Sequence, residues 1–216
     1  MKRLTLVSLC LLALLGLAHA TASVPVIDLY NNLGASIDGS DPVYALGPLS
    51  ASFSTGSNGY LLTQVTVPLG GDPSNYGGGA IINLLNDAGG SPGSVLFYLT
   101  SISDLSYSNC APFLYCWVSA STSYQLAPDT RYWIQVADDS LPGNSTTAYL
   151  GYTNDTSGVG VTGEFHADQT GVYPNDYTYV MQVSATPISP TPEPASLLLL
   201  GSGLAGLMGA INRKLS

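Results

Sequence analysis

Positive charge is the scarcest property of this sequence. Only five Lys and Arg residues occur in 216, and four of them sit at the extreme ends: Lys2, Arg3, Arg213 and Lys214. Arg131 alone lies between. Of the 14 Asp and Glu residues, Glu193 is near the C-terminus and the other thirteen fall in the body. One positive group against thirteen negative ones leaves the body at a formal −12. This argues against nucleic-acid binding, which needs Lys and Arg to displace counterions from phosphates. It disfavours adhesion to anionic lipid and favours solubility. The charged residues that usually fill exposed helix faces are scarce too, with Glu present only as Glu164 and Glu193. Cysteine is limited to Cys10, Cys110 and Cys116, and histidine to His19 and His166.

What is present is Gly, Ser, Thr, Asn, Asp and 14 Tyr. Disordered acidic chains lack aromatic and β-branched residues, so this acidity belongs to a folded chain. The composition is that of an all-β secreted domain with many turns.

The two ends carry address signals. Lys2 and Arg3 precede an uncharged apolar run over residues 4–17, and Ala18-His19-Ala20 supplies small residues where a signal peptidase reads. Residues 1–20 are therefore expected to be a signal peptide cut after Ala20. Cys10 lies inside the run, which does not suit a lipobox. At the other end, Pro192-Glu193-Pro194 is followed by an uncharged stretch over 195–211 and then by Arg213 and Lys214. The stretch is long enough for a short transmembrane helix, and the basic end should stay cytoplasmic, in a segment covering 212–216. Residues 186–194 read as a proline-rich, stiff spacer.

This order of parts resembles the PEP-CTERM sorting signal, carried by Pro192, Glu193 and Pro194, the apolar stretch, and the basic residues Arg213 and Lys214. The resemblance implies a membrane transpeptidase, an exosortase, that cuts near the motif and passes the protein outward. The expected route is export, transient inner-membrane anchoring, then the cell surface or the extracellular space.

The body, 21–185, reads as short strands. Candidates are 50–55, 61–68, 80–85, 95–100, 114–119, 132–136, 147–152, 159–165 and 177–184. Residues 61–67 alternate, with Leu61, Thr63, Val65 and Val67 on one face. Tyr132, Ile134 and Val136 alternate with Arg131, Trp133 and Gln135, which suggests one buried and one wetted face. Turn chemistry separates the runs, as in Gly56-Ser57-Asn58-Gly59 and Asn86-Asp87-Ala88-Gly89-Gly90. Short strands at this spacing point to a β-sandwich, jelly-roll-like. Three phrases, Phe53-Ser54-Thr55-Gly56-Ser57-Asn58-Gly59-Tyr60, Leu84-Leu85-Asn86-Asp87-Ala88-Gly89-Gly90-Ser91-Pro92-Gly93 and Leu126-Ala127-Pro128-Asp129-Thr130-Arg131-Tyr132-Trp133, give the body a resemblance to the choice-of-anchor domains, most closely the one lettered R. That implies a surface or extracellular β-domain and no defined activity.

Candidate chemistry is sparse. Cys110 and Cys116 are the cysteines left after signal removal, and export makes a disulfide between them the natural expectation, with unpaired thiols as the alternative. Glu164, His166 and Asp168 alternate, so their side chains can point the same way; a solvated edge-strand face is expected, with a metal or acid–base site as the alternative. Asp72, Asp87, Asp138 and Asp139 lie in predicted loops, where plain turn formation is expected and calcium is the alternative. Arg131 should pair with a loop carboxylate. No cofactor, metal or catalytic residue is expected. The sequence thus points to a non-enzymatic cell-surface or extracellular-matrix β-domain of structural or adhesive role. A carbohydrate-binding module acting on exopolysaccharide is the alternative, and a surface-polysaccharide hydrolase comes third.

Overall fold

The structure, a computed structural model, describes residues 24–43, 47–71, 79–103, 105, 115–139, 148–174, 177–188 and Gly203. The expected signal peptide and membrane stretch, Cys110, the Pro192-Glu193-Pro194 motif and the basic end lie outside the described residues. No helix among the described residues is long and apolar enough to cross a membrane.

The described body is all-β. One sheet holds seven strands: β1 (Ile27–Asn31), β13 (Gln182–Pro187), β4 (Tyr60–Gly71), β9 (Ala148–Thr153) and β12 (Thr178–Tyr179) in order, with β2 (Gly39–Pro42) against β9 and β7 (Cys116–Leu126) against β4. The second runs β11 (Gly171–Pro174), β10 (Phe165–Asp168), β3 (Leu49–Ser54), β8 (Arg131–Asp138), β5 (Ala80–Asp87) and β6 (Pro92–Ile102). The strand pairs are antiparallel. Leu62, Val65, Leu69 and Val183 of the first sheet and Leu49, Phe53, Ile82 and Ile134 of the second share one core. Two sheets closing on one apolar layer is the arrangement of a β-sandwich.

Most expected strands are present with shifted ends, and the differences have local causes. Of residues 159–165, only Phe165 lies in a strand, at the start of β10. Gly158, Gly160 and Gly163 all take positive φ there, and a Cβ on Gly160 would come 2.1 Å from the Leu29 carbonyl oxygen. The chain turns instead and re-enters the second sheet as the β10–β11 hairpin. The alternation in β4 breaks at Thr63. Relative to β13, Thr63 is the extra residue of a bulge, and its hydroxyl donates to the Ser184 carbonyl at 2.9 Å. The face changes at that point, so Leu62, Val65 and Val67 are the buried residues, not Leu61 and Thr63.

The second correction concerns β8. Tyr132, Ile134 and Val136 face the main core as expected. Trp133 was expected on the wetted face, yet it is 0% exposed. It packs with Leu85 and Ala167 in a smaller apolar cluster, bordered by Phe165 and Val172. The second sheet therefore has a dry patch on its outer face, supplied partly by β10 and β11. The indole N–H is not left without a partner: it donates to Asp87 Oδ1 at 2.8 Å.

Two consequences can be measured by urea unfolding. Trp133→Phe keeps most of the ring but removes the donor to Asp87, and should lower stability by about 1–3 kcal/mol. Trp117→Phe, at a residue 53% exposed, should change it by less than about 0.5 kcal/mol. Equal shifts for the two would contradict the burial of Trp133.

Candidate functional site

The bend that leads into β10 builds the most developed polar region. Glu164 sits just before the strand, where Arg131 Nε lies 3.2 Å from its Oε2. Ser52 donates its hydroxyl to the same oxygen at 2.7 Å, and the Phe165 N–H donates to Ser52 Oγ at 2.8 Å. The Arg131 guanidinium also lies over the Phe165 ring, 4.4 Å from its centroid. The lone cation of the body thus does pair with a carboxylate from an irregular segment. Ser52 is fully buried, so this network braces the bend rather than presenting a nucleophile.

In front of Glu164 opens a cleft of about 220 Å³, lined by Thr156, Val161, Thr162, Gly163, Glu164, Tyr177 and Thr178. Behind it runs a row of rings. Tyr152 and Tyr177 lie 4.3 Å apart between centroids, Tyr177 and His166 4.2 Å, and His166 and Tyr173 5.1 Å. Asp41, from β2, accepts from the Tyr177 hydroxyl at 2.6 Å and from the Tyr179 hydroxyl at 2.9 Å. Burial, and then the bond to Asp41, pushes the Tyr177 hydroxyl well above its ordinary value. Burial and the Asp41 charge do the same to Tyr179. Burial pushes Tyr30 up to about 12 against the lowering effect of its bond to Thr178. These tyrosines stay protonated throughout the physiological range.

The structure separates Glu164, His166 and Asp168. Glu164 joins Arg131 and Ser52. His166 is 3% exposed and stacks among tyrosines, so the expected solvated face is absent at that position. Asp168 shapes the β10–β11 turn, accepting from the Thr170 and Gly171 N–H groups at 2.7 and 3.2 Å. No group of three or more His, Cys, Asp or Glu among the described residues could hold a metal ion. Asp87 caps the β5–β6 turn, accepting from Gly90 N–H at 2.9 Å as well as from Trp133. Asp138 closes β8, and Asp72 lies outside the described residues. Cys116 is half-buried at the start of β7, opposite Leu69.

Gly89-Gly90-Ser91-Pro92-Gly93 has the spacing of a nucleophile elbow, which requires a strand-to-helix turn. Here it joins β5 to β6, closed by the Ala88 N–H donating to the Ser91 carbonyl at 2.8 Å. It is a hairpin turn. Asp41 and Ser52 drew no notice in the sequence, because each meets its partner, Tyr177 or Glu164, more than a hundred positions away along the chain.

Fold and site together define an acidic all-β domain with a polar surface cleft. The segment C-terminal to that domain is more specific. Residues 190–214 match the family described as the PEP-CTERM protein-sorting motif. That motif indicates export and membrane-anchored sorting, with an exosortase as the implied processing partner. No curated protein matches the chain.

Asp41→Ala strands the buried Tyr179 hydroxyl together with that of Tyr177, and should cost about 2 kcal/mol in urea unfolding. Adding Tyr177→Phe and Tyr179→Phe to the same chain should recover part of that loss, since no stranded hydroxyl remains. Further loss would show that Asp41 acts in another way.

Acid should weaken the fold. At Asp28 burial opposes ionisation, but bonds from Asn31, Ser184 and Gln182 outweigh it and hold the carboxyl below its ordinary value. At Asp168 burial is likewise outweighed, by bonds from Thr170 and Gly171. A depressed folded value gives stability that is present above the unfolded value of about 3.9 and is lost as pH falls through the folded one. The urea midpoint should therefore drop on acidification below about pH 4. A rising midpoint in that window would contradict the assignment.

Proposed function

We propose that this chain is an exported, non-enzymatic β-domain that signal peptidase and then an exosortase deliver to the cell surface or extracellular matrix, where it serves a structural or adhesive role. The match of residues 190–214 to the sorting motif carries the reading. The end of the fold supports it. β13 runs to Pro187, and the Ile188 N–H donates to the Gly59 carbonyl at 3.0 Å. The described body thus ends two residues before the matched segment begins, so a cut near Pro192-Glu193-Pro194 removes no strand of the described sandwich.

Within this proposal the body is a jelly-roll-like sandwich of the choice-of-anchor type, and Cys110 pairs with Cys116 after export. A body charge of −12 keeps released copies soluble and mutually repelling. The cleft favours a second reading. Its threonines and the Glu164 carboxylate offer hydrogen bonds at the scale of one sugar ring, which suits a module that holds an uncharged exopolysaccharide. A polysaccharide pull-down with Glu164→Ala as the control separates the two readings.

The processing step is tested by intact mass. Surface protein from a host with the sorting enzyme should lack Ser216 and the basic end. Replacing Pro192, Glu193 and Pro194 with Ala should leave the tail attached. Wild-type surface protein that still carries Ser216 would make the tail a permanent anchor and end the proposal.

A further inference from the structure

The turn between β3 and β4 carries two residues that the fold does not use. Its first half is tied down. The Thr55 hydroxyl donates to the Ala127 carbonyl at 2.8 Å, and the Gly56 carbonyl accepts from the Asp129 N–H. Ser57 and Asn58 then stand exposed. The turn needs Gly56, whose φ is +63°. It does not need Gly59. The φ of Gly59 lies outside the left-handed region, and a Cβ there would meet nothing closer than the Leu126 carbonyl oxygen at 3.4 Å. Asn58 is not held either: its side chain makes no hydrogen bond to any described residue. Asn31, Asn86 and Asn154 are all bonded through theirs. Asn58 is also the one asparagine of the chain that is followed by glycine.

We propose that Asn58-Gly59 is a self-modifying site: without an enzyme, Asn58 is converted to aspartate and isoaspartate, and the isoaspartate form loosens the end of the domain. Asparagine is a labile residue, and a following glycine, with no Cβ, leaves its nitrogen unshielded and free to swing onto the side chain. The Gly59 nitrogen attacks Asn58 Cγ. A cyclic imide forms, the bond from Cγ to the side-chain nitrogen breaks, and ammonia leaves with the proton that Gly59 gives up. Water then opens the ring, and nothing is oxidised. Attack at Cγ gives aspartate. Attack at the Asn58 main-chain carbonyl carbon gives isoaspartate, in which the chain runs through Cβ and Cγ. Position gives this reaction its consequence. The Gly59 carbonyl accepts from the Ile188 N–H at 3.0 Å, and Ile188 is the last described residue before the segment matched at 190–214. Isoaspartate lengthens the main chain by a carbon just before that carbonyl and displaces it from Ile188. The inference is independent of the cleft and of the processing step, because residues 58 and 188 both precede the matched segment.

Ageing the full chain in warm, mildly alkaline buffer tests it. Peptide mapping should show the Asn58 peptide splitting into aspartate and isoaspartate forms at least tenfold faster than the peptide carrying Asn154, which is exposed but bonded to Asp38. Gly59→Ala, where there is room for the methyl group, should slow the conversion at least tenfold with far-UV circular dichroism unchanged. Hydrogen exchange at the Ile188 amide should quicken at least tenfold in the isoaspartate fraction. It should stay near wild type in Asn58→Asp, which has the charge but the ordinary backbone. Conversion of Asn58 no faster than that of Asn154 in the wild-type chain overturns the proposal. So does an isoaspartate fraction in which Ile188 exchanges as it does in the unaged protein.

Discussion

Trp133 lies wholly out of water against Leu85 and Ala167 and hands its one polar hydrogen to Asp87. A ring of that size on the outer face of a sandwich sheet must be covered, because an exposed indole forfeits the burial that makes it stabilising. β10 and β11 supply part of the cover. Once β10 is laid against β3, with His166 opposite Ala51, the bend before it reaches Ser52 and Arg131. The ion pair with Glu164 and the cleft in front of it follow from that placement. The outer cluster is small, yet it positions most of the polar chemistry of the body.

On the inner side of β10 the same hairpin delivers His166 to the tyrosine row. There Asp41, on β2 of the seven-stranded sheet that also holds Tyr179, takes two hydroxyl hydrogens. Carboxylates in this protein mostly serve such local ties. Asp28 binds β1 to β13, Asp168 shapes a hairpin, and Asp38 accepts from the Asn154 N–H at 2.8 Å. A chain with one basic residue in its body cannot neutralise its acids by ion pairs. It uses N–H and O–H donors instead, and these hold a carboxylate ionised without a countercharge.

The same acidity suits the proposed export and processing, because strongly negative copies repel one another. The described fold ends at Ile188, two residues before the matched sorting segment begins.

Much of the protein was legible in residue order alone. Signal peptides and sorting tails are read as linear strings, so residue order suffices to suggest them. The all-β class was legible because turn chemistry and period-two alternation are local properties; β3, β5, β6 and β8 fall close to where alternation puts them. The β10–β11 hairpin, the face change at Thr63 and the burial of Trp133 were not legible. Each depends on a partner distant in sequence: Leu29 crowding Gly160, Ser184 accepting from Thr63, and Ala167 covering the indole. The candidate site was almost wholly hidden for the same reason, since Asp41, Ser52, Arg131, Glu164 and Tyr177 form no pattern along the chain. Sequence alone determined the all-β class and the sorting motif at residues 190–214, because short-range sterics and hydropathy set both. Tertiary structure alone decided which face of a strand is dry and which carboxylate meets which donor, because burial belongs to the assembled sheets and not to any one strand.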